Sequence, residues 1–426
     1  MNYNTSLRYA GLDRPREAGL SVMETAERLR RLAYFERRLM LLLATRIVTI
    51  PERDVKVLLA RLQYEHAQHV DGWRGRVLEL RTNKSKLEGA PEPALAVLFD
   101  EAEHLPGAYT FLFAVTQVLE PALRAAYDAY LADANGLADY ASVRLVRQAS
   151  ADAAEHARLL AQALNELARD DGDVAHAAEW ETVLRAHLAA TGGVNGTLPR
   201  GESPSRQAST QPYVIPHTLV RDTAIPHVWD YQAPPLEDVD RHLDYMMGLR
   251  LSEINVAEGL AIVLYETPDM PWSFYLDISR HLWDEMRHSL FGEAGIEATY
   301  GNHTAIPMRD YEGVFAMEAP PLEQYAVLGL EVEGKNMKYP PGKRQEWEFA
   351  RDMAHHPLMA NFQDFDWADE VVHVNIARRQ LDGWFDGGLK TISDFSARGK
   401  EHRTEVKRRQ SPTAIAHPQP RTGTQG

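Results

Sequence analysis

Two stretches of this chain, HLWDEMRHSLFGE (His281–Glu293) and FDWADEVVHVNIA (Phe365–Ala377), each set an Asp-Glu pair just ahead of a histidine. In a helix, residues three apart share a face, so Glu285 with His288, and Glu370 with His373, can reach one ion together. Such a site needs several buried helices that converge, which constrains the fold more than any other feature. A bare count decides little. With 61 acidic residues and 17 histidines in 426 positions, about 2.4 acid-x-x-His matches arise by chance. The chain has five: Glu101/His104, Asp173/His176, Glu285/His288, Asp352/His355 and Glu370/His373. Arrangement has to decide.

The flanking sequence reads as helices in two blocks, an all-α chain. After an N-terminal extension over 1–21, apolar residues recur at three- and four-residue spacing from 22 to 190, as in ETAERLRRLAYFERRLMLLLATRI. Residues 191–235 change character, with TGGVNGTLPRGESPSRQAST and then IPHTLVRDTAIPHVWDYQAPP, and read as a linker, mobile in its first half. A second block spans 236–396, with helices expected at about Leu236–Tyr265, Trp272–Ala294, Pro321–Met337 and Pro357–Phe385. The basic tail over 397–426, with Lys400, Arg403, Lys407, Arg408 and Arg409, is expected to be disordered. Each block offers four long helices, enough for a four-helix bundle.

Composition removes several chemistries. There are no cysteines, so thiolate zinc sites and iron–sulfur clusters are excluded. A net charge of −15 argues against a nucleic-acid or anionic-membrane partner. The polar opening MNYNTSLRYAGLDRPREAG lacks an apolar signal core, and no run reaches the ~20 apolar residues of a membrane span, so a cytoplasmic protein is expected.

A carboxylate-bridged two-metal bundle takes one Glu from each of two helices and Glu-x-x-His from each of the others. The second block supplies that set in order: Glu253, then Glu285 and His288, then Glu331, then Glu370 and His373. Glu253 continues the stripe Met246, Leu249, Ala257, Leu260, Leu264, so it faces the core and is preferred to Glu258. Glu331 is preferred to Glu333 on the same face geometry. Metal-bound histidines usually donate their second ring N–H to a carboxylate. Asp284 is therefore expected to support His373, and Asp369 to support His288, across neighbouring antiparallel helices.

With these residues in place, the segment 236–390 resembles the ferritin-like di-iron carboxylate superfamily, whose oxidase and oxygenase branches carry paired Asp-Glu-x-x-His motifs. The resemblance implies two tandem ferritin-like bundles, two iron ions with manganese as the alternative, and O2 with a small organic molecule as substrates. An electron donor and self-association are both compatible with it. Glu331 or Glu370 would be the flexible bridging carboxylate by analogy. The competing functions are a dimanganese catalase-like enzyme and a non-enzymatic metal-binding or structural protein.

The first block echoes the second. Glu36, YEHAQH (Tyr64–His69), Glu120 and ADAAEH (Ala151–His156) fall in the same order. In the Asp-Glu-x-x-His frame, His69 and His156 keep the histidine, while the ligand glutamates have become His66 and Ala153. The expectation is a degenerate bundle kept for structure, with a residual one-metal site of Glu36, His66, His69, Glu120 or His156 as the alternative. DEAEH (Asp100–His104) abuts Leu-Pro-Gly and reads as an exposed helix end, and His355-His356 reads as a helix terminus.

Overall fold

The computed structural model describes residues 5–167, 169–206, 208, 210–384 and 388–409. Among them the chain is helical, apart from one parallel pairing of two short strands, β1 (His227–Val228) and β2 (Met308–Arg309). No described helix is long and apolar enough to cross a membrane.

Contacts group residues 1–46 with 61–214, and 47–60 with 215–426. The turn between the first two long helices thus belongs to the second unit, which the sequence pattern does not suggest. The helices are α1 (Val22–Thr49), α2 (Arg53–Glu79), α3 (Pro93–Ala102), α4 (Ala108–Ala114), α5 (Glu120–Asp133), α6 (Tyr140–Glu166) and α7 (Asp171–Ala190). A π-helical segment, Val115–Leu119, joins α4 to α5. Helix α6 shows why these residues fold this way. Val143, Val146, Ala149, Ala153, His156, Leu160 and Leu164 are buried at three- and four-residue spacing, one continuous stripe on a 3.6-residue helix.

The second unit holds α8 (Val239–Leu251), α9 (Ile254–Glu266), α10 (Trp272–Tyr300), α11 (Tyr311–Glu318), α12 (Pro321–Ala326), α13 (Gly334–Asn336), α14 (Lys343–Glu348), α15 (Pro357–Trp384) and α16 (Gly388–Arg408). The helix expected from Leu236 to Tyr265 is broken at Ser252–Glu253, where Ser252 Oγ donates back to the Gly248 carbonyl at 2.7 Å. That hydrogen bond favours a local bend. The helix expected from Pro321 to Met337 changes to π geometry over Val327–Glu333. Phe385, the expected end of the last bundle helix, lies outside the described residues. Gly292 lets α10 meet α8 closely, since a methyl there would overlap the Leu251 amide nitrogen and stand 2.6 Å from the Met247 carbonyl oxygen.

Two compositional expectations are corrected. The first half of the segment 191–235 is tied down in its unit, because the Arg31 guanidinium donates to the carbonyls of Val194 (2.7 Å), Thr191 (3.0 Å) and Gly193 (3.1 Å). Its glycines serve tight turns, with positive φ at Gly192, Gly193 and Gly196. The chain from 397 to 408 is helical as part of α16, with Ser396 and Val406 buried. Its cations are neutralised by acids of the same unit: Lys400 by Glu331, Arg403 by Glu312, Lys407 by Asp230 and Arg409 by Glu318. Residues 410–426 lie outside the described residues.

Candidate metal centre

In α10 the buried stripe runs Phe274, Ile278, His281, Glu285, His288, Gly292, Gly295, and in α15 it runs Met359, Gln363, Asp366, Glu370, His373, Ala377. Chemistry-bearing residues therefore occupy core positions on both helices. They form two groups whose donor atoms lie within 4.8 Å of one another: His281, Glu285, Glu333 and His373, then Glu253, His288, Asp366 and Glu370.

In the first group, His281 Nε2 lies 2.7 Å from Glu333 Oε1 and 3.5 Å from Glu285 Oε1. His373 Nδ1 lies 3.3 Å from Glu285 Oε1 and 3.8 Å from Glu333 Oε1. Donors bound to one ion at about 2.1 Å stand roughly 3.0–3.4 Å apart; these donors, at 2.7–3.8 Å, bracket that spacing, and an ion would replace the His281–Glu333 hydrogen bond. In the second group, His288 Nδ1 lies 3.3 Å from Asp366 Oδ1, 3.7 Å from Glu253 Oε2 and 3.9 Å from Glu285 Oε1. Glu285 Oε1 thus faces both groups.

The supporting contacts cross between α10 and α15. His373 Nε2 is 3.3 Å from Asp284 Oδ2, and His288 Nε2 is 3.3 Å from Asp369 Oδ2. Arg287 joins the two aspartates, at 2.6 Å from Asp284 and 2.7 Å from Asp369. A ring that gives its Nε2 proton to an aspartate presents the Nδ1 lone pair to the centre. Glu253 Oε2, Glu285 Oε1, His288 Nδ1, Glu333 Oε2, Glu370 Oε2 and His373 Nδ1 are buried and have no hydrogen-bond partner among the described residues. Buried polar atoms rarely stay that way unless something else binds them.

Charge sharpens the point. Among the described residues, five carboxylates (Glu253, Glu285, Glu333, Asp366, Glu370) face two permanent cations, Arg250 and Lys343, both buried in the second group. Burial disfavours the ionised Asp366, yet Arg250 and Lys343 outweigh it and hold its carboxyl down at about 2. Burial pushes Glu370 up to about 7 against the Lys343 charge, helped by Glu333 and Glu285. It raises Glu253 as well, while the burial cost of the ionised Glu285 is outweighed by the His281, His373 and His288 imidazoles around it, which hold it low. Protonation of Glu253 or Glu370, protonated imidazoles, or bound metal balances the excess negative charge.

Of the sequence candidates, Glu253, Glu285, His288, Glu370 and His373 come together. Glu331 does not. It is partly exposed and pairs with Lys335 and Lys400, while Glu333 is buried in the first group. The π segment accounts for about one of the two residues of the slip, because an i→i+5 turn advances the face by about one residue relative to the 3.6-residue count. Glu258 is neutralised elsewhere, by Lys56 and by Arg221 at 2.6 Å. Sequence reasoning missed His281 and Asp366, although each stands four residues ahead of its motif glutamate on the same stripe. It also missed Lys343 and Arg250, for which periodicity carries no signal.

In the first unit, Glu36, His66, His69, Glu120 and His156 also converge. Here most donors are used. Glu36 accepts from Trp73 Nε1 (2.6 Å) and Tyr127 Oη (2.7 Å), and contacts His69 Nδ1 (2.9 Å) and His66 Nδ1 (3.0 Å). His66 Nε2 meets Glu120 at 2.9 Å, His69 Nε2 meets Asp152 at 3.0 Å, and His156 Nε2 meets Glu65 at 2.7 Å. A π segment again precedes the third-helix glutamate, Glu120. The DEAEH stretch is corrected: Glu101 is buried and accepts from Arg206 Nε (3.0 Å) and the Ala208 amide (2.8 Å), since the chain folds back over it. His356 Nδ1 accepts from the Met359 amide at the start of α15.

A cavity of about 430 Å³ reaches Glu253, Glu285, Glu333 and Glu370, with Leu260, Val263, Phe315 and Leu328 in its apolar wall. The chain matches no known protein family, no curated protein and no solved structure, so the reading of this centre rests on its own geometry.

Proposed function

We propose that the second unit is a ferritin-like, non-haem iron oxidoreductase that uses O2 to oxidise or oxygenate a small organic substrate. The observation that carries this reading is the convergence of buried, hydrogen-bond-free carboxylate and imidazole atoms at spacings suited to metal. Oxygen and nitrogen donors without sulfur suit iron or manganese. Iron held by these residues would relay electrons to O2, of which an oxygenation takes two from the substrate bond and two from an external reductant.

The chain's own groups have defined tasks. Asp284 and Asp369 fix the imidazole tautomers of His373 and His288. Glu285 faces both groups and is the natural shared carboxylate. The cavity pairs an apolar wall with polar groups such as Arg309, Gln324 and Asn336, which together could seat a polar organic molecule beside the carboxylates.

The test is anaerobic Fe(II) loading followed by O2 exposure under optical spectroscopy. A transient charge-transfer band, absent in Glu285→Ala, supports oxygen activation. Iron bound with no response to O2 refutes it in favour of a binding protein, and manganese with rapid peroxide disproportionation points to a catalase.

A further inference from the structure

The two donor groups differ in one respect that their ligands do not explain. Among the described residues, no lysine or arginine pairs with the four side chains of the first. The second holds the Lys343 ammonium, 1% exposed, 2.9 Å from both oxygens of Asp366 and 2.8 Å from Glu370 Oε1. Glu253 Oε1 stands 4.0 Å from the same nitrogen. Three of the four candidate ligands of the second group thus surround a compact, point-like cation. Arg250 adds a planar charge at 2.7 Å from Asp366 and 3.0 Å from Glu253, and also approaches Glu346 at 3.5 Å. Lys343 does not come from a long bundle helix. It is the first residue of α14, directly after the exposed stretch Lys338–Pro341 and Gly342, so its ammonium enters from a short surface segment.

Resting on the metal-centre reading above, we propose that Lys343 takes the place of a second metal ion. The chain then holds one ion, on His281, Glu285, Glu333 and His373, while the ammonium neutralises Glu253, Asp366 and Glu370. A second ion binds only where the ammonium is removed. Like charges a few ångströms apart in a buried site exclude each other, and a lysine ammonium is the side chain that most resembles a small ion. Glu253 Oε2, His288 Nδ1 and Glu370 Oε2 keep donor capacity that the ammonium does not use. Removing the lysine therefore exposes a ready second site.

The experiment is metal stoichiometry of the full chain after anaerobic Fe(II) or Mn(II) loading and desalting, with electron paramagnetic resonance of the Mn(II) form. The wild type is expected to retain about one ion per chain with the signal of an isolated Mn(II). Lys343→Met is expected to retain about twice as much, with a spin-coupled signal, because Glu285 lies between the groups. Lys343→Arg should stay near the wild-type value. Two ions of similar affinity in the wild type overturn the proposal and leave the functional reading intact. No retained metal in any form overturns both. If Lys343→Met fails to fold, the wild-type stoichiometry and signal decide alone.

Discussion

Glu36→Gln tests whether the first unit's cluster is a structural network. Glu36 is fully buried and meets four groups, Trp73, Tyr127, His66 and His69. Glutamine keeps the shape and removes the charge. Burial disfavours both the carboxylate and the imidazolium forms. Their mutual attraction outweighs it, holding Glu36 down at about 2 and pushing His66 and His69 up to about 9. At about 1.4 kcal/mol per pH unit, the Glu36 displacement from 4.5 corresponds to roughly 3 kcal/mol. Each histidine gives a similar figure, but shares it with Glu120 or Asp152, so about half belongs to Glu36. Both routes reach about 3 kcal/mol, the size of losing one partner of a buried pair. The sign follows from the directions. The carboxylate's contribution is present above about pH 4.5 and is lost as pH falls toward about 2. The imidazoles' contribution is present below about pH 6.5 and is lost as pH rises through about 9. The difference between wild type and variant should peak near pH 5–6.5 and shrink above pH 9. Urea unfolding followed by hydrogen exchange over residues 61–167 measures it. A loss under about 1 kcal/mol, or one flat with pH, refutes the network. A chelator that costs the wild-type segment as much as the mutation would make the cluster a metal site.

Three further outcomes are expected. Glu333→Gln should weaken iron binding at least 10–100-fold, whereas Glu331→Gln, at a residue that pairs with Lys335 and Lys400, should change it less than about twofold by equilibrium dialysis. Asp284→Asn should lower metal affinity about 10–100-fold while far-UV circular dichroism stays unchanged, since His373 then loses the partner that orients it; an unaltered affinity would mean that packing alone holds the ring. Gly292→Ala should cost about 1–3 kcal/mol in denaturant unfolding, because α8 and α10 must separate to admit one methyl group.

Much of the second unit's centre was legible because helical periodicity is a local property. Glu285 with His288, and Glu370 with His373, share a face at any fold that keeps their helices, and Glu253 lies on an apolar stripe that must turn inward. The same logic extends to His281 and Asp366, each one turn further along. The failures have a common cause. Glu331 was preferred to Glu333 by counting 3.6 residues per turn through a segment that is π-helical, and the choice of helix type depends on what α15 and α16 press against it. The tail was read as disordered from its composition, yet Arg403, Lys407 and Arg409 find Glu312, Asp230 and Glu318 only once the unit has folded.

By itself the sequence determined an all-helical chain with two blocks of helices and the face on which each motif residue lies, because these follow from spacing along a single helix. Tertiary structure alone decided how those faces meet: that Glu285 lies between two donor groups, that Glu333 rather than Glu331 joins them, and that Glu36 is satisfied by Trp73 and Tyr127. It also decided the presence of Lys343 among the second group's carboxylates. No periodicity marks that lysine, since it stands at the start of a short helix after a Pro-Pro-Gly turn. Its burial is stable only because acids from α15 and the α8–α9 break converge on the same point.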